Sequence, residues 1–299
     1  MLKIGDLTPT ATADGHWTDG NVAGGVAPTR MMAGWFNTVQ DELVNVLTAA
    51  GLATDPKNSA QLLAALNTLV GPGRLLNVQV LTGSGTYVPT SGTKKIVVEA
   101  VGAGGGGGGA DAGGRSGDNY IYSVSGGGGS GAYARFILEN SFSNIAYSCG
   151  KGGLGGNKPG APNNQGSPGG QTTFGSLLTL PGGKGGTSGT TNNSFNWGCV
   201  AGGGVGADTP TLASSIKAIL AMGGSVGAAG QMNNANGGCA GVGANTALGH
   251  GGFGSTNGSG GDGRGYGAGG GGSLTIQSNT NSQAGGNGGD GLIIIWEYA

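Results

Sequence analysis

The spacing of hydrophobic positions changes character twice along this chain. In TRMMAGWFNTVQDELVNVLTAAG, Met32, Phe36, Val39, Leu43, Val46 and Leu47 recur at three- and four-residue intervals, with Asn37, Gln40, Asp41 and Asn45 opposite. That is the stripe of an amphipathic helix, and Gly51 is its natural stop. Asp55-Pro56 offers an N-cap and a first-turn proline. A second helix carrying Ala60, Leu62, Leu63, Leu66 and Leu69 is therefore predicted from there to Gly71-Pro72-Gly73. Residues 8–28 are polar and broken by glycines, and read as an arm with turns. Two short amphipathic helices cannot bury their stripes alone. Residues 1–72 thus read as a docking module that needs copies of itself or a partner.

From Leu75 the period becomes two. LLNVQVL alternates Leu76, Val78 and Val80 with Asn77 and Gln79, a short strand follows at 86–88, and KKIVVEAV is a third. The chain closes with LIIIWEYA, in which Ile293 and Ile295 share one side and Ile294 and Trp296 the other. A strand apolar on both sides belongs in the middle of a sheet. The strand before the glycine region and the strand after it are expected to pair. GAYARFILE, NIAYSCG and FGSLLTLPG read as further strands, while SSIKAILAM fits either helix or strand. Residues 73–299 are predicted to form a glycine-rich β domain on a sandwich-like scaffold.

Composition changes the reading of the stretch between those strands. The 299 residues include 74 glycines, and only 9% are charged, against about 7% glycine and about 25% charge in ordinary globular chains. Tracts at 102–109, 150–156, 182–186, 202–206, 223–272 and 285–291 hold most of the excess. Glycine at this density is either a flexible linker or a set of packed polyglycine II helices, extended and threefold, which approach closely because no Cβ intervenes. Strands interrupt the tracts, as do singly placed Leu154, Val205, Val226, Val242 and Leu248. Such punctuation favours ordered packing.

The tract after KKIVVEAV also satisfies G-x-G-x-x-G from Gly102. The helix a dinucleotide site requires is missing, since ADAGGRSGDNYIYSVSGGGG carries no apolar repeat at 3.6 spacing. No phosphate-loop motif occurs, and no cofactor is expected. A net charge of −1 supplies no basic stripe for nucleic acid, and no apolar run reaches the about 20 residues of a membrane span. Residues 1–12 lack the basic start and apolar core of a signal peptide. Cys149, Cys199 and Cys239, with only His16 and His250 in the chain, form no metal framework and read as free thiols made in a reducing cytoplasm.

Two blocks carry a family resemblance. GDLTPTATADGHWTDGN with APTRMMAGWFNTVQDELVNVLTAAGL and DPKNSAQLLAALNTLV resembles the N-terminal region of bacteriophage and prophage tail fibre proteins. The match runs through Trp35, Asn37, Val39, Gln40, Glu42, Leu43, Asn45, Val46, Ala49, Ala50 and Gly51. LLNVQVLTGSGTYVPTSGTKKIVVEAVGAGGGGGG and the closing GDGLIIIWEYA look like the glycine-rich C-terminal domain of such fibres. The resemblance implies a virion protein made in the host cytoplasm, a homotrimer. It implies docking on a baseplate or tail protein through the N-terminal module, with Trp35, Phe36, Val39 and Leu43 as attachment residues. It further implies that distal loops bind a host glycan or outer-membrane protein. The short connection between the modules points to a short fibre or a receptor-binding protein near the baseplate.

Within that expectation, the contact residues are rings and amides stranded in glycine loops: Tyr120, Tyr122, Asn192, Asn193, Phe195, Asn196, Trp197, His250, Phe253 and Tyr266, with Asn257 nearby. Rings on a rigid loop supply contact area at low entropic cost. The opposing reading makes each ring a cap on the glycine stack or part of a subunit seam. No paired carboxylates of the kind needed for glycoside hydrolysis stand together in sequence, so no enzyme is expected. A polysaccharide depolymerase and a non-viral structural or ice-binding protein are the alternatives.

Overall fold

The computed structural model describes residues 2–70, 73–116, 119–142, 144–157, 164–189, 198–234 and 236–299. Two units separate, Met1–Arg74 with Ala299, and Leu75–Tyr298.

The first unit holds α1 (Ala33–Ala49) and α2 (Gln61–Val70), preceded by a single 3-10 turn at Ile4–Asp6 and a turn-rich arm. α2 begins later than Asp55-Pro56 predicts. The Asp55 carboxylate accepts from the Lys57 N–H at 2.9 Å, and the Asn58 side chain accepts from the Ala60 N–H at 2.9 Å. These local bonds hold residues 55–60 in turns, and the Gln61 amide reaches back to the backbone of Asp55. Only Leu47 of α1 and Ala65 of α2 are buried.

The second unit is built on two antiparallel sheets. Its sandwich strands are β1 (Leu75–Leu81), β2 (Ser84–Tyr87), β3 (Lys95–Val101), β4 (Tyr133–Leu138), β5 (Ile145–Ser148), β6 (Thr172–Phe174), β7 (Leu178–Leu180), β8 (Thr211–Leu212), β9 (Lys217–Met222) and β10 (Leu292–Tyr298). One sheet has the order β1-β10-β3-β4-β9 and the other β8-β7-β6-β5-β2. Ile96, Val98, Phe136, Ile293 and Ile295 of the first face Tyr87, Ile145, Phe174, Leu178 and Leu180 of the second in one buried cluster. The closing strand β10 lies between β1 and β3, as its two apolar faces require, and SSIKAILAM is resolved in favour of strand at β9.

The alternation of β1 is real, but its faces are reversed. Val78 and Val80 are exposed, while Gln79 donates inward to the fully buried Glu297 at 2.9 Å. A buried carboxylate has to be met by donors, so the polar face of β1 turns in.

The glycine tracts are ordered, and their hydrogen bonds repeat every three residues. Within 102–110, the N–H groups of Gly102, Gly105 and Gly108 donate to the carbonyls of Ala132, Gly129 and Gly126. Those of Ala103, Gly106 and Gly109 donate to Gly170, Ser167 and Asn164, and those of Gly104, Gly107 and Ala110 to Gly289, Gly286 and Gln283. The carbonyls of this tract accept from three more neighbours: Gly183, Gly186 and Gly189; Gly153 and Gly156; Gly270 and Ser273. A threefold extended helix has no bonds of its own, so each turn points its donors and acceptors at surrounding tracts. The tract 125–132 is surrounded in the same way, by bonds to residues of 181–187, 204–207, 225–228, 241–244, 267–273 and 102–108.

The glycines of 102–109 have no positive φ; they serve close approach. A Cβ on Gly106 would land on the backbone carbonyl of Leu154, and one on Gly104 on that of Ala268. Inside the bundle the tracts admit only small side chains such as Ala103, Ser125 and Ala268, and larger ones stand where a tract turns outward. Leu154, Val205, Val226 and Val242 are accordingly exposed, so this punctuation faces solvent rather than filling a core.

Candidate functional site

The tracts run alternately away from the sandwich and back. Residues 102–110 leave β3, and 125–132 return to β4; the pairs 150–156 and 164–170, 181–189 and 201–207, 223–229 and 240–245, 251–255 and 258–263, and 267–273 and 283–291 repeat the excursion. The described parts of the connections, at 111–116 and 119–124, 157 and 164, 189 and 198–200, 230–234 and 236–239, 255–258 and 274–283, therefore gather at the end remote from the sandwich. Backbone pairing, not loop sequence, collects them there.

That remote end has its own small core. Tyr122, Val124, Met232, Ala240 and Leu274 are buried together, with Ile276 packed against them. Strands Ser123–Val124 and Leu274–Thr275 pair across it, and Gly198–Ala201, Gly230–Asn234 and Gly237–Cys239 form a three-stranded sheet. The Ser125 hydroxyl donates to the Gly108 carbonyl at 2.6 Å and accepts from the Ser273 N–H at 2.7 Å. The Thr275 hydroxyl donates to the Asp111 carbonyl at 2.6 Å. These buried bonds tie the cap to the tracts, so its outer connections leave from a fixed base.

Among the described residues, the predicted contact residues do not form one site. Asn192, Asn193, Phe195, Asn196 and Trp197 lie outside the described residues. The backbone on either side is held at the cap, by Gly189 bonded to Gly109 and by Gly198 opposite Met232. Tyr120 belongs to strand Asn119–Ile121, opposite Arg115. Tyr122 is only 4% exposed, inside the cap core; it closes the stack and presents no surface. Phe253 stands exposed on the flank of a tract. His250 and Tyr266 lie at the sandwich end, where Gly249–His250 pairs with Arg264–Gly265 and the Thr246 hydroxyl donates to the Tyr266 carbonyl at 2.7 Å.

The cap instead assembles amides from three connections. The Gln277 side chain donates to that of Asn236, and Asn279 donates to Asn257 at 3.2 Å, with Asn234 accepting from the Asn236 N–H at 2.8 Å. Only Asn257 of this group is singled out by sequence reasoning. The available signal is the run of amides between tracts: 157–165, 190–197, 231–236 and 277–283 are rich in Asn and Gln, and the described residues among 231–236 and 277–283 meet at one end of the tracts. Such a surface offers paired donors and acceptors with no net charge.

The first unit, taken alone, leaves the residues predicted for attachment exposed or half-buried. The Trp35 ring packs edge-on against Trp17 at 5.4 Å and Phe36 at 5.3 Å. Phe36 and Leu43 are exposed and Val39 half-buried. No described helix is long and apolar enough to cross a membrane. Among the described residues no group of three or more His, Cys, Asp or Glu is placed to hold a metal ion.

The profile of a glycine-rich domain family matches residues 79–298, most of the chain. No curated protein matches it.

Proposed function

Because the chain belongs to the glycine-rich domain family, we propose that its glycine domain is a rigid stalk of packed polyglycine II helices presenting a binding cap, in a phage tail fibre or receptor-binding protein of the virion. The carrying observation is the gathering of the described tract connections, rich in amides, at the end remote from the sandwich. Loops on a rigid scaffold are where binding residues concentrate. An amide-rich, uncharged surface suits a host glycan or the polar loops of an outer-membrane protein.

The helical unit supports the other half of the reading. Its uncovered apolar stripe, with Trp35, Phe36, Val39 and Leu43, suits docking on a tail or baseplate protein and association of the chain as a homotrimer. The outward side chains of the tract 151–157, Lys151, Leu154 and Asn157, mix charge, aliphatic and amide character. A uniform ice-ordering face would not be built that way.

The test is binding of the purified chain to intact host bacteria, with sugar release from the capsule measured in parallel. Trp197→Ala is expected to weaken adsorption by about 2 kcal/mol or more with an unchanged melting midpoint. Full adsorption by the folded variant removes 190–197 from the site. Sugar release from the capsule favours a depolymerase instead.

A further inference from the structure

A second recess lies at the opposite end of the glycine bundle. Thr82, Cys149, Lys151, Tyr266 and Asp290 line a cleft of about 340 Å³ beside the β1–β2 turn, within the range of small-ligand sites, about 300–1,000 Å³. Lys151 Nζ contacts Asp290 Oδ2 at 2.7 Å, and Asp290 Oδ1 accepts from the Gly152 N–H at 2.8 Å. Both side chains stay open to solvent, Lys151 at 80% and Asp290 at 44%. Among the described residues, the hydroxyls of Thr82 and Tyr266 have no hydrogen-bond partner.

We propose that this cleft is a binding subsite for one uncharged sugar unit, stacked on Tyr266 and hydrogen-bonded by the Lys151–Asp290 pair. The ammonium has spare donors and the carboxylate spare lone pairs, side by side. A vicinal diol presents a donor and an acceptor in the same arrangement, and the C–H face of the ring suits the half-buried aromatic surface of Tyr266. The two charges cancel, so neither a uronic acid nor an amino sugar is favoured by a net field. Burial pushes the Cys149 thiol up to about 11, which keeps it protonated at neutral pH. It stands independently of the cap, because its side chains come from the sandwich end.

The experiment is saturation-transfer NMR on the full chain with methyl glycosides of glucose, galactose, N-acetylglucosamine and glucuronic acid. At least one neutral glycoside is expected to bind and the glucuronide to bind more weakly. Tyr266→Ala should weaken the neutral ligand at least about tenfold at an unchanged melting midpoint. Lys151→Gln, a change at an exposed side chain, should also weaken it, which keeps the test decisive if the tyrosine variant folds poorly. Trp197→Ala should leave it unchanged, separating this cleft from the cap. Absence of binding by every neutral glycoside, preference for the glucuronide, or undiminished binding by folded Tyr266→Ala or Lys151→Gln overturns the proposal.

Discussion

The Tyr87 hydroxyl donates a 2.7 Å hydrogen bond to Oε1 of Glu297, across 210 residues of sequence. Glu297 is fully buried and accepts also from the Gln79 amide, the Thr90 N–H and the Thr90 hydroxyl. Three segments of the sandwich thereby close on one carboxylate. Burial, the largest influence, pushes the Glu297 carboxyl up, but the bonds from Thr90, Tyr87 and Gln79 together outweigh it and hold it below the usual range. The same contact raises Tyr87, after burial itself.

The pH dependence follows from that direction. A carboxyl depressed in the folded state contributes stability that is present above its unfolded value of about 4.3 and is lost as pH falls through the lower, folded value. The melting midpoint of the wild type should therefore drop steeply as acid passes below about pH 4.3. Glu297→Gln should destabilise the fold at pH 7 by roughly 2 kcal/mol, lowering the midpoint, and flatten the acid limb. Parallel acid limbs in calorimetry of the two proteins would place the acid sensitivity elsewhere.

Close approach in the glycine tracts predicts a contrast between two identical substitutions. Gly106→Ala drives a methyl into the Leu154 carbonyl, an overpacking that costs about 1–3 kcal/mol. At exposed Gly202 the nearest atom to an added Cβ is Thr187 Oγ1, at 3.8 Å. Gly202→Ala should be neutral or gain up to about 1 kcal/mol through the unfolded chain. Equal midpoints for the two variants would contradict a packed lattice.

The sandwich is legible because its strands alternate, and β10 announces a central position by being apolar on both sides. The inverted face of β1 is not legible, since it depends on Glu297, which is remote in sequence. Order in the tracts has a signal beyond glycine content. Lys151, Leu154 and Asn157, or Ala284, Asn287 and Asp290, recur at intervals of three, the spacing at which a threefold helix turns one edge outward. Which connections share the cap cannot be read, because backbone bonds between tracts carry no side-chain code. Tyr122 shows the consequence: its sequence context matches that of an exposed loop ring, and only the pairing of the two strands that flank the cap core buries it.

The cap core predicts local rather than global failure. Leu274 is fully buried in a cluster separate from that of the sandwich. Leu274→Ala should cost about 2–5 kcal/mol locally, with amide exchange rising first at 123–124 and 230–239 while β3 and β10 stay protected. Uniform exchange across both regions would show that cap and sandwich unfold as one.

The division at Arg74 and Leu75 predicts that the glycine domain stands without its helices. The apolar residues of α1 and α2 are mostly exposed, whereas the sandwich core is composed entirely of residues from Leu81 onward. Removing residues 1–72 should therefore leave the stability of the β domain, read from its thermal melt, within about 0.5 kcal/mol of its intact value. Self-association should respond in the opposite way if the α1 stripe is its seat. The intact chain, with a protomer mass of 28.6 kDa, should scatter light as a trimer at micromolar concentration and the truncated chain as a monomer. Phe36→Ser with Leu43→Ser should reproduce the monomer without deletion, since both side chains are exposed and their loss opens no cavity. A trimer that survives truncation would move the association surface to the β domain. The outer face of the sheet that holds β1 and β10, where Val78 and Val80 stand exposed beside Ile294 and Trp296, would then be the surface to mutate.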